Sequence, residues 1–135
     1  MIRLHATEHA EQSALIVWWA VYCQTKVIDE RLLFSIPNGA SKSIAQALKF
    51  KREGLRPGVP DLFLAVPHAP YSGLFLEMKG KGGMPSAAQK AWIRMLNGKG
   101  YRAVVCVGWD VARQVIEDYL SARAGAAKMT KIFSD

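Results

Sequence analysis

Three ionisable side chains, Asp61, Glu77 and Lys79, stand at the ends of two short runs that otherwise have the composition of buried β-strands. A charged group is costly in such a place unless a partner offsets it. Two carboxylates brought together favour a hard cation, because like-charge repulsion would otherwise raise the pKa of one of them. A lysine beside such a cation can hold or polarise a water molecule or a phosphate oxygen. These residue types therefore predict metal-assisted hydrolysis of phosphodiester bonds.

The alternation of side chains along a strand predicts that the three groups converge. In the strand that ends at Lys79, Glu77 and Lys79 share one face with Phe75, whereas the apolar residues between them share the other face. If the strand that begins after Asp61 pairs antiparallel with this one, its start lies beside the other strand's end. We therefore expect the three groups at one edge of the sheet. The alternative is that they are ordinary strand-end charges that face solvent.

The elements that must position these residues follow one another as helix, strand, helix, strand, strand, helix, strand and helix. The first helix runs from an N-cap at Thr7 to about Tyr22, the second begins near Ile44, the third is capped by Ser86, and the last is capped by Asp110. The predicted strands span 32–36, 62–66, 74–79 and 103–107. This order predicts an α/β domain with a mixed central sheet flanked by helices.

Two further polar residues lie next to apolar stripes of the predicted helices. Glu11 shares its stripe with Leu15, Trp18 and Tyr22, so its carboxylate lies either at the exposed end of the stripe or in a cleft beside the sheet. Gln89 repeats this placement in the first turn of its own helix. It serves either local backbone hydrogen bonds or the same cleft.

The composition predicts one compact domain over residues 1–123 and a flexible C-terminal tail over 124–135. Half of the residues are hydrophobic, which suffices for a packed core. The net charge of +7 and the pI near 9.7 favour a polyanionic partner, the alternative being a solvated basic surface with no partner.

The cysteines and histidines do not indicate a disulfide framework or a zinc site. Cys23 and Cys106 lie in apolar surroundings and are expected to be buried thiols. We see no membrane-spanning stretch and no signal peptide, so the expected location is the cytoplasm.

The motifs, taken in order, resemble those of the VRR-NUC family of PD-(D/E)xK nucleases. The matching segments are Glu11-Gln12, Ile36 to Gly39, Lys51 to Gly54, Gly58 to Leu62, Glu77 to Lys79, and Ser86 to Gln89 with Trp92. The resemblance extends from about Glu8 to Leu120. It implies a restriction-endonuclease-like fold and a metal-dependent DNA endonuclease that acts on branched or structured DNA, as Holliday-junction resolvases do, in replication, recombination or repair.

The resemblance also implies a role for each site residue. Divalent metal, Mg²⁺ or Mn²⁺, would be bound by Glu11, Asp61, Glu77 and the carbonyl of Met78, and Glu8 is the alternative helix acid. Lys79 would orient or activate the attacking water, either uncharged as a base or charged as a stabiliser of the transition state. The catalytic set, completed by a supporting glutamine, is Glu11, Asp61, Glu77, Lys79 and Gln89.

Six basic residues are candidate phosphate contacts around this site. They are Lys42, Lys49, Lys51, Arg52, Arg56 and Lys81. Nothing in the sequence resembles a base-reading helix or a zinc finger, so we expect recognition of DNA shape rather than of base sequence. The alternatives are a DNA-binding module of the same fold that does not cleave, and a restriction-like or RNA-directed nuclease.

Small stand-alone relatives from phages and bacteria act as homodimers, which implies a homodimer in the cytoplasm of a bacterium or a phage-infected host. The apolar residues in excess of a minimal core, Trp19 on the first helix and Trp109 in a predicted loop, are the candidate interface residues. The alternative for both is ordinary packing within one protomer.

Overall fold

The chain folds around a four-stranded mixed sheet, and a computed structural model describes residues 7–37 and 42–121. The helices are α1 Glu8–Lys26, α2 Ile44–Arg52, α3 Ala87–Gly98 and α4 Trp109–Ser121, with a short 3₁₀ helix at Glu30–Leu32. The strands are β1 Leu33–Ser35, β2 Leu62–Leu64, β3 Leu74–Lys79 and β4 Arg102–Val107. The architecture is α/β and restriction-endonuclease-like, as expected from the sequence.

The strands lie in the order β1-β2-β3-β4, and their pairing brings the three ionisable residues to one end of the sheet. Strand β2 is antiparallel to both β1 and β3, whereas β3 and β4 are parallel. The register sets Leu62 opposite Leu76, so Asp61, one residue earlier, lies level with Glu77. The mixed sheet and the antiparallel pairing of β2 with β3 are therefore confirmed.

The two faces of the sheet carry separate apolar clusters. Helices α1 and α4 cover one face, where Leu74, Leu76 and Met78 are fully buried. Helix α3 covers the other face and packs Ile93 and Leu96 against β4, with Phe75 at the edge of that cluster. This division confirms the predicted alternation along β3, in which Phe75 and the apolar residues on either side of it face opposite ways.

Of the two alternatives for Trp19, an interface or packing within the protomer, the structure shows packing within the protomer. Its side chain is 1% exposed, and it forms the buried stripe of α1 together with Leu15 and Cys23. The indole N–H donates a 2.8 Å hydrogen bond to the carbonyl of Glu30, so the polar edge of the ring is satisfied inside the fold. Because α1 packs against both the sheet and α4, it buries a wider stripe than one row of residues, and Trp18 is half-buried beside it.

The start of the last helix also differs from the expectation. Helix α4 begins at Trp109, which is half-buried against the core, and Asp110 lies in its first turn instead of capping it. The carboxylate of Glu11 accepts a 2.6 Å hydrogen bond from the backbone N–H of Trp109. A side chain from α1 therefore satisfies an N–H at the start of α4, and no local cap is needed for it.

Most other boundaries shift by a few residues. Helix α1 continues to Lys26 and ends where Val27 takes a left-handed conformation, and β1 and β2 are shorter than predicted.

Cys23 and Cys106 are buried thiols, as expected, and burial raises their pKa values to about 11 and about 12. The predicted tail at 124–135 lies outside the described residues. Among the helices of the described ranges, none is long and apolar enough to cross a membrane.

Candidate active site

Asp61 is bound to the strand that carries the other two groups. Its Oδ2 accepts a 2.7 Å hydrogen bond from the backbone N–H of Met78, the residue between Glu77 and Lys79. Met78 itself is fully buried on the opposite face. The bond orients the Asp61 carboxylate toward the last residues of β3.

The turn that precedes Asp61 is held by α3. Gly58 has a φ of 89°, and a Cβ atom at this position would come within 2.9 Å of the backbone carbon of Ala88. Beside it, the indole N–H of Trp92 donates a 2.9 Å hydrogen bond to the carbonyl of Pro57. Glycine is therefore required both for the conformation and for the close approach, and α3 determines where Asp61 begins β2.

Glu77 is a buried carboxylate with incomplete hydrogen bonding. Its side chain accepts a long hydrogen bond of 3.4 Å from Nε2 of Gln89 at Oε2, while Oε1 is buried without a hydrogen-bond partner. Burial raises the pKa of Glu77 to about 8; a hydrogen bond and the negative charge of Asp61 add to this rise, and Lys79 offsets it in part. The structure thus shows the like-charge conflict that two adjacent carboxylates predict.

Gln89 is oriented by the start of its own helix. Its Oε1 accepts a 2.8 Å hydrogen bond from the backbone N–H of Ser86, and the Ser86 hydroxyl accepts one from the Gln89 N–H. This reciprocal capping box fixes the side-chain amide with its NH₂ group toward Glu77. The two alternatives for Gln89 are therefore both realised, one at each end of the same amide.

Lys79 lies between two carboxylates. Its Nζ is 2.9 Å from Oε1 of Glu8 and 3.5 Å from Oε2 of Glu77, and the residue is 8% exposed. Burial acts to lower the pKa of Lys79, but the hydrogen bond to Glu8 and the charges of Glu77 and Glu8 outweigh it, so the pKa is raised. The ammonium group is therefore charged at neutral pH.

The two acids at the start of α1 have different surroundings. Glu8 contacts Lys79 and lines a cavity of about 350 Å³ together with Asp61. Glu11 instead bonds to the first residue of α4. The rest of the cavity wall is formed by His9, Gln12, Ser35, Ile36 and Pro37.

The oxygen donors at this site fit a hard divalent cation. Mg²⁺ keeps several water ligands and is often bound through one or two carboxylates, which Asp61 and Glu77 supply beside the Met78 backbone. The Oε1 atom of Glu77 is buried without a hydrogen-bond partner, so this oxygen is available as a metal ligand. Within residues 7–37 and 42–121, no group of three or more His, Cys, Asp or Glu residues could hold a metal by itself, so the site does not fit a closed protein cage.

The six basic residues selected from the sequence all lie at the surface. Lys49, Lys51 and Arg52 are on the last turns of α2, a helix without a single buried residue. Lys42 precedes this helix, and Arg56 and Lys81 lie in loops. Within residues 7–37 and 42–121, the side chains of this set form one ion pair, a marginal 4.0 Å contact between Lys49 and Glu53.

A mixed sheet that ends in an Asp, a Glu and a Lys beside a helix-borne acid is the arrangement of a restriction-endonuclease-like nuclease domain. The family model for the VRR-NUC domain matches residues 2–110, and the chain belongs to this family of nuclease-type domains. A solved structure described as a VRR_NUC domain protein is similar to it, with a TM-score of 0.73 and 29% sequence identity over 94% of this chain and 100% of that one. Among proteins of curated function, none matches the chain.

Replacing Glu77 by glutamine should stabilise the metal-free protein at high pH. The pKa of Glu77 rises from 4.5 to about 8 on folding, so the folded state keeps a proton that the unfolded chain releases, and stability falls as the pH rises between these values. Glu77→Gln removes this fall. In thermal melts in EDTA, its Tm relative to the parent should therefore be higher at pH 9 than at pH 5.

The matched control for that experiment is Glu53→Gln at an exposed acid. Mn²⁺ should raise the Tm of the parent and of the control but not that of Glu77→Gln. An equal Tm difference at both pH values would contradict the description of Glu77 as a buried carboxyl group with a raised pKa.

Gly58→Ala should damage the site more than Gly54→Ala. Both glycines have positive φ, which costs an alanine about 1–2 kcal/mol, but a Cβ at Gly54 meets nothing within 4 Å. At Gly58 the added atom also meets the backbone of Ala88, so the turn must move and Asp61 with it. Urea unfolding should show the larger loss for Gly58→Ala, and only this variant should lose metal-induced stabilisation. Equal losses would show that α3 does not hold the turn.

Proposed function

We propose that this protein is a divalent-metal-dependent DNA endonuclease that hydrolyses phosphodiester bonds. The observation that carries the proposal is the buried Glu77 beside Asp61, with the charged Lys79 in contact with Glu77. A protein gains nothing in stability from two neighbouring carboxylates of which one is buried and incompletely bonded. This cost is expected at a site that binds a cation for chemistry.

Asp61, Glu77 and the Met78 carbonyl are the residues that would hold Mg²⁺ or Mn²⁺. The metal, when bound, would polarise the scissile phosphate and lower the pKa of a bound water molecule. The third acid is Glu8 in this proposal, because Glu8 shares the cavity with Asp61, whereas Glu11 is bonded to α4. Gln89 keeps Glu77 in place through its side-chain amide.

Lys79 acts as a charged group and not as a base. The contacts with Glu8 and Glu77 keep its proton, because loss of the proton would leave the Glu8 carboxylate without its cation. A fixed ammonium group can orient a water molecule toward phosphorus and stabilise negative charge that develops on the phosphate oxygens.

The substrate we propose is branched or otherwise structured DNA, in replication, recombination or repair. Support comes from the family and from the exposed cations of α2 and its flanking loops. Such contacts to phosphates are independent of base sequence and position the DNA by its shape. The direct test is to incubate the protein with linear duplex, flap, single-stranded and four-way-junction DNA, and with RNA, in Mg²⁺, Mn²⁺ or EDTA.

Replacing single acids by their amides should distinguish the acids that take part in cleavage from the acid that only stabilises the fold. Asp61→Asn and Glu8→Gln should each lower single-turnover cleavage by about a hundredfold or more, while DNA binding changes little, because affinity comes mainly from lysine and arginine. Glu11→Gln should keep cleavage within about tenfold of the parent, and Glu11→Ala should lose about 1–2 kcal/mol of stability, the size of a lost helix cap. Loss of cleavage in Glu11→Gln with full activity in Glu8→Gln would reverse the assignment.

We also propose that the working unit is a homodimer with α1 at the interface. Residues 12–25 carry no charged side chain, and Val17 and Val21 are 68% and 59% exposed on the side of α1 away from Trp19. A helix that is apolar all round is normally buried. This face offers no cation to DNA, and an antiparallel copy of α1 would bring Lys26 toward the acidic first turn of its partner.

Charges introduced on this face should produce monomers. For Val17→Glu with Val21→Glu, light scattering should give the mass of one chain, because two glutamates per protomer would be desolvated without partners. Ile44→Glu with Leu48→Glu, which introduces two glutamates at exposed apolar positions of α2, serves as the control and should remain dimeric. A parent protein that is monomeric both free and bound to a junction would refute the dimer but not the nuclease.

A further inference from the structure

The cations of this protein fall into two groups that differ in whether they have partners. On the layer formed by α1, the 3₁₀ helix and α4, every described cation is engaged. Arg31 pairs with Asp29, and Arg113 pairs with Asp110 and Glu117. The ammonium group of Lys26 lies 5.8 Å from the centre of the Tyr22 ring. The cations of this layer therefore already have contacts within the fold.

Helix α3, on the opposite face of the sheet, carries cations of the other kind. Lys90 and Arg94 are exposed, and no acid in residues 7–37 and 42–121 forms an ion pair with either of them. They are four residues apart and thus neighbours on the same helix face, where like charges weaken a helix. The sequence thus retains two uncompensated cations side by side, an arrangement that favours an anionic ligand.

The position of α3 connects these cations to the candidate active site. Gln89, the residue before Lys90, contacts the buried Glu77, and Trp92 holds the turn before Asp61. The buried residues Ile93 and Leu96 fix the orientation of the helix and therefore determine which side of it faces solvent. With 12 residues, α3 extends about 18 Å, and Arg94 lies about one turn farther from the site than Lys90.

We propose that the outer face of α3 binds the phosphate backbone of a duplex arm as it leaves the cleavage site, through Lys90 and Arg94. This inference rests on the proposed action on DNA and adds the path of the substrate. The two cations contact phosphates of the same arm, one helical turn apart. The arm runs along α3, away from the α1 and α4 layer, where both arginines are paired with acids.

Binding energetics give the first test. In EDTA, fluorescence anisotropy with a labelled duplex and with a labelled four-way junction should show that Lys90→Ala with Arg94→Ala weakens binding about tenfold or more. The dependence of log affinity on log salt concentration should become shallower by about one for each cation removed. Arg31→Ala, which removes an exposed and already paired cation on the other layer, is the matched control and should change neither quantity. Unchanged affinity and slope in the double variant would overturn the proposal.

The position of the DNA gives a second test that does not depend on affinity. Because Cys23 and Cys106 are buried, Arg94→Cys can be labelled selectively with a photo-crosslinker, and Gln114→Cys provides the control at an exposed position of α4. We expect crosslinks from position 94 to one duplex arm and none from position 114. Crosslinks from position 94 to a second protein chain, or equal DNA crosslinking from both positions, would overturn the proposal.

The two tests also separate this inference from the proposed nuclease. Normal cleavage of the DNA panel together with unchanged binding in the double variant would remove the α3 path and leave the nuclease intact. No cleavage in any metal, together with the expected loss of binding and the expected crosslinks, would leave the α3 path and remove the nuclease.

Discussion

The burial of the Glu77 carboxylate at the end of β3 is the constraint on which the rest of the site depends. Asp61 stands level with it on β2 and opposes its ionisation, so the neighbouring elements must supply compensation. Helix α3 provides the amide of Gln89, and β3 provides the ammonium group of Lys79. Helix α3 and strands β2 and β3 thus each place a polar group beside one buried carboxyl group.

If the proposed cation binds beside Glu77, this arrangement couples stability to its binding. Without a cation, the fold holds Glu77 with a raised pKa and one oxygen without a hydrogen-bond partner. A ligand that binds the folded state and not the unfolded chain stabilises the fold by mass action. The apolar clusters on the two faces of the sheet must offset the cost of this buried carboxyl group.

The two layers of helices contribute different groups to the domain. Helix α3 combines a buried stripe with exposed cations, and it also holds the turn that leads to Asp61. Helix α1 brings Glu8 to the site, whereas its far side exposes valines and no charge. Glu11 joins α1 to α4, so the layer behind the site is a single packed unit.

The sequence by itself determined the features that depend on local pattern. The alternation along β3, the Ser86 and Gln89 capping box, and the convergence of Asp61 with Glu77 and Lys79 all follow from spacing and from a hairpin-like pairing. Only the tertiary structure shows that Glu8 and Glu11 have different surroundings, because both lie in the first turn of α1 and differ by about 60° around the helix axis. The packing of α1 against the sheet and α4 sets that rotation, and the same packing buried Trp19. Helical periodicity identifies a stripe, but its width and direction depend on the surfaces that the helix meets.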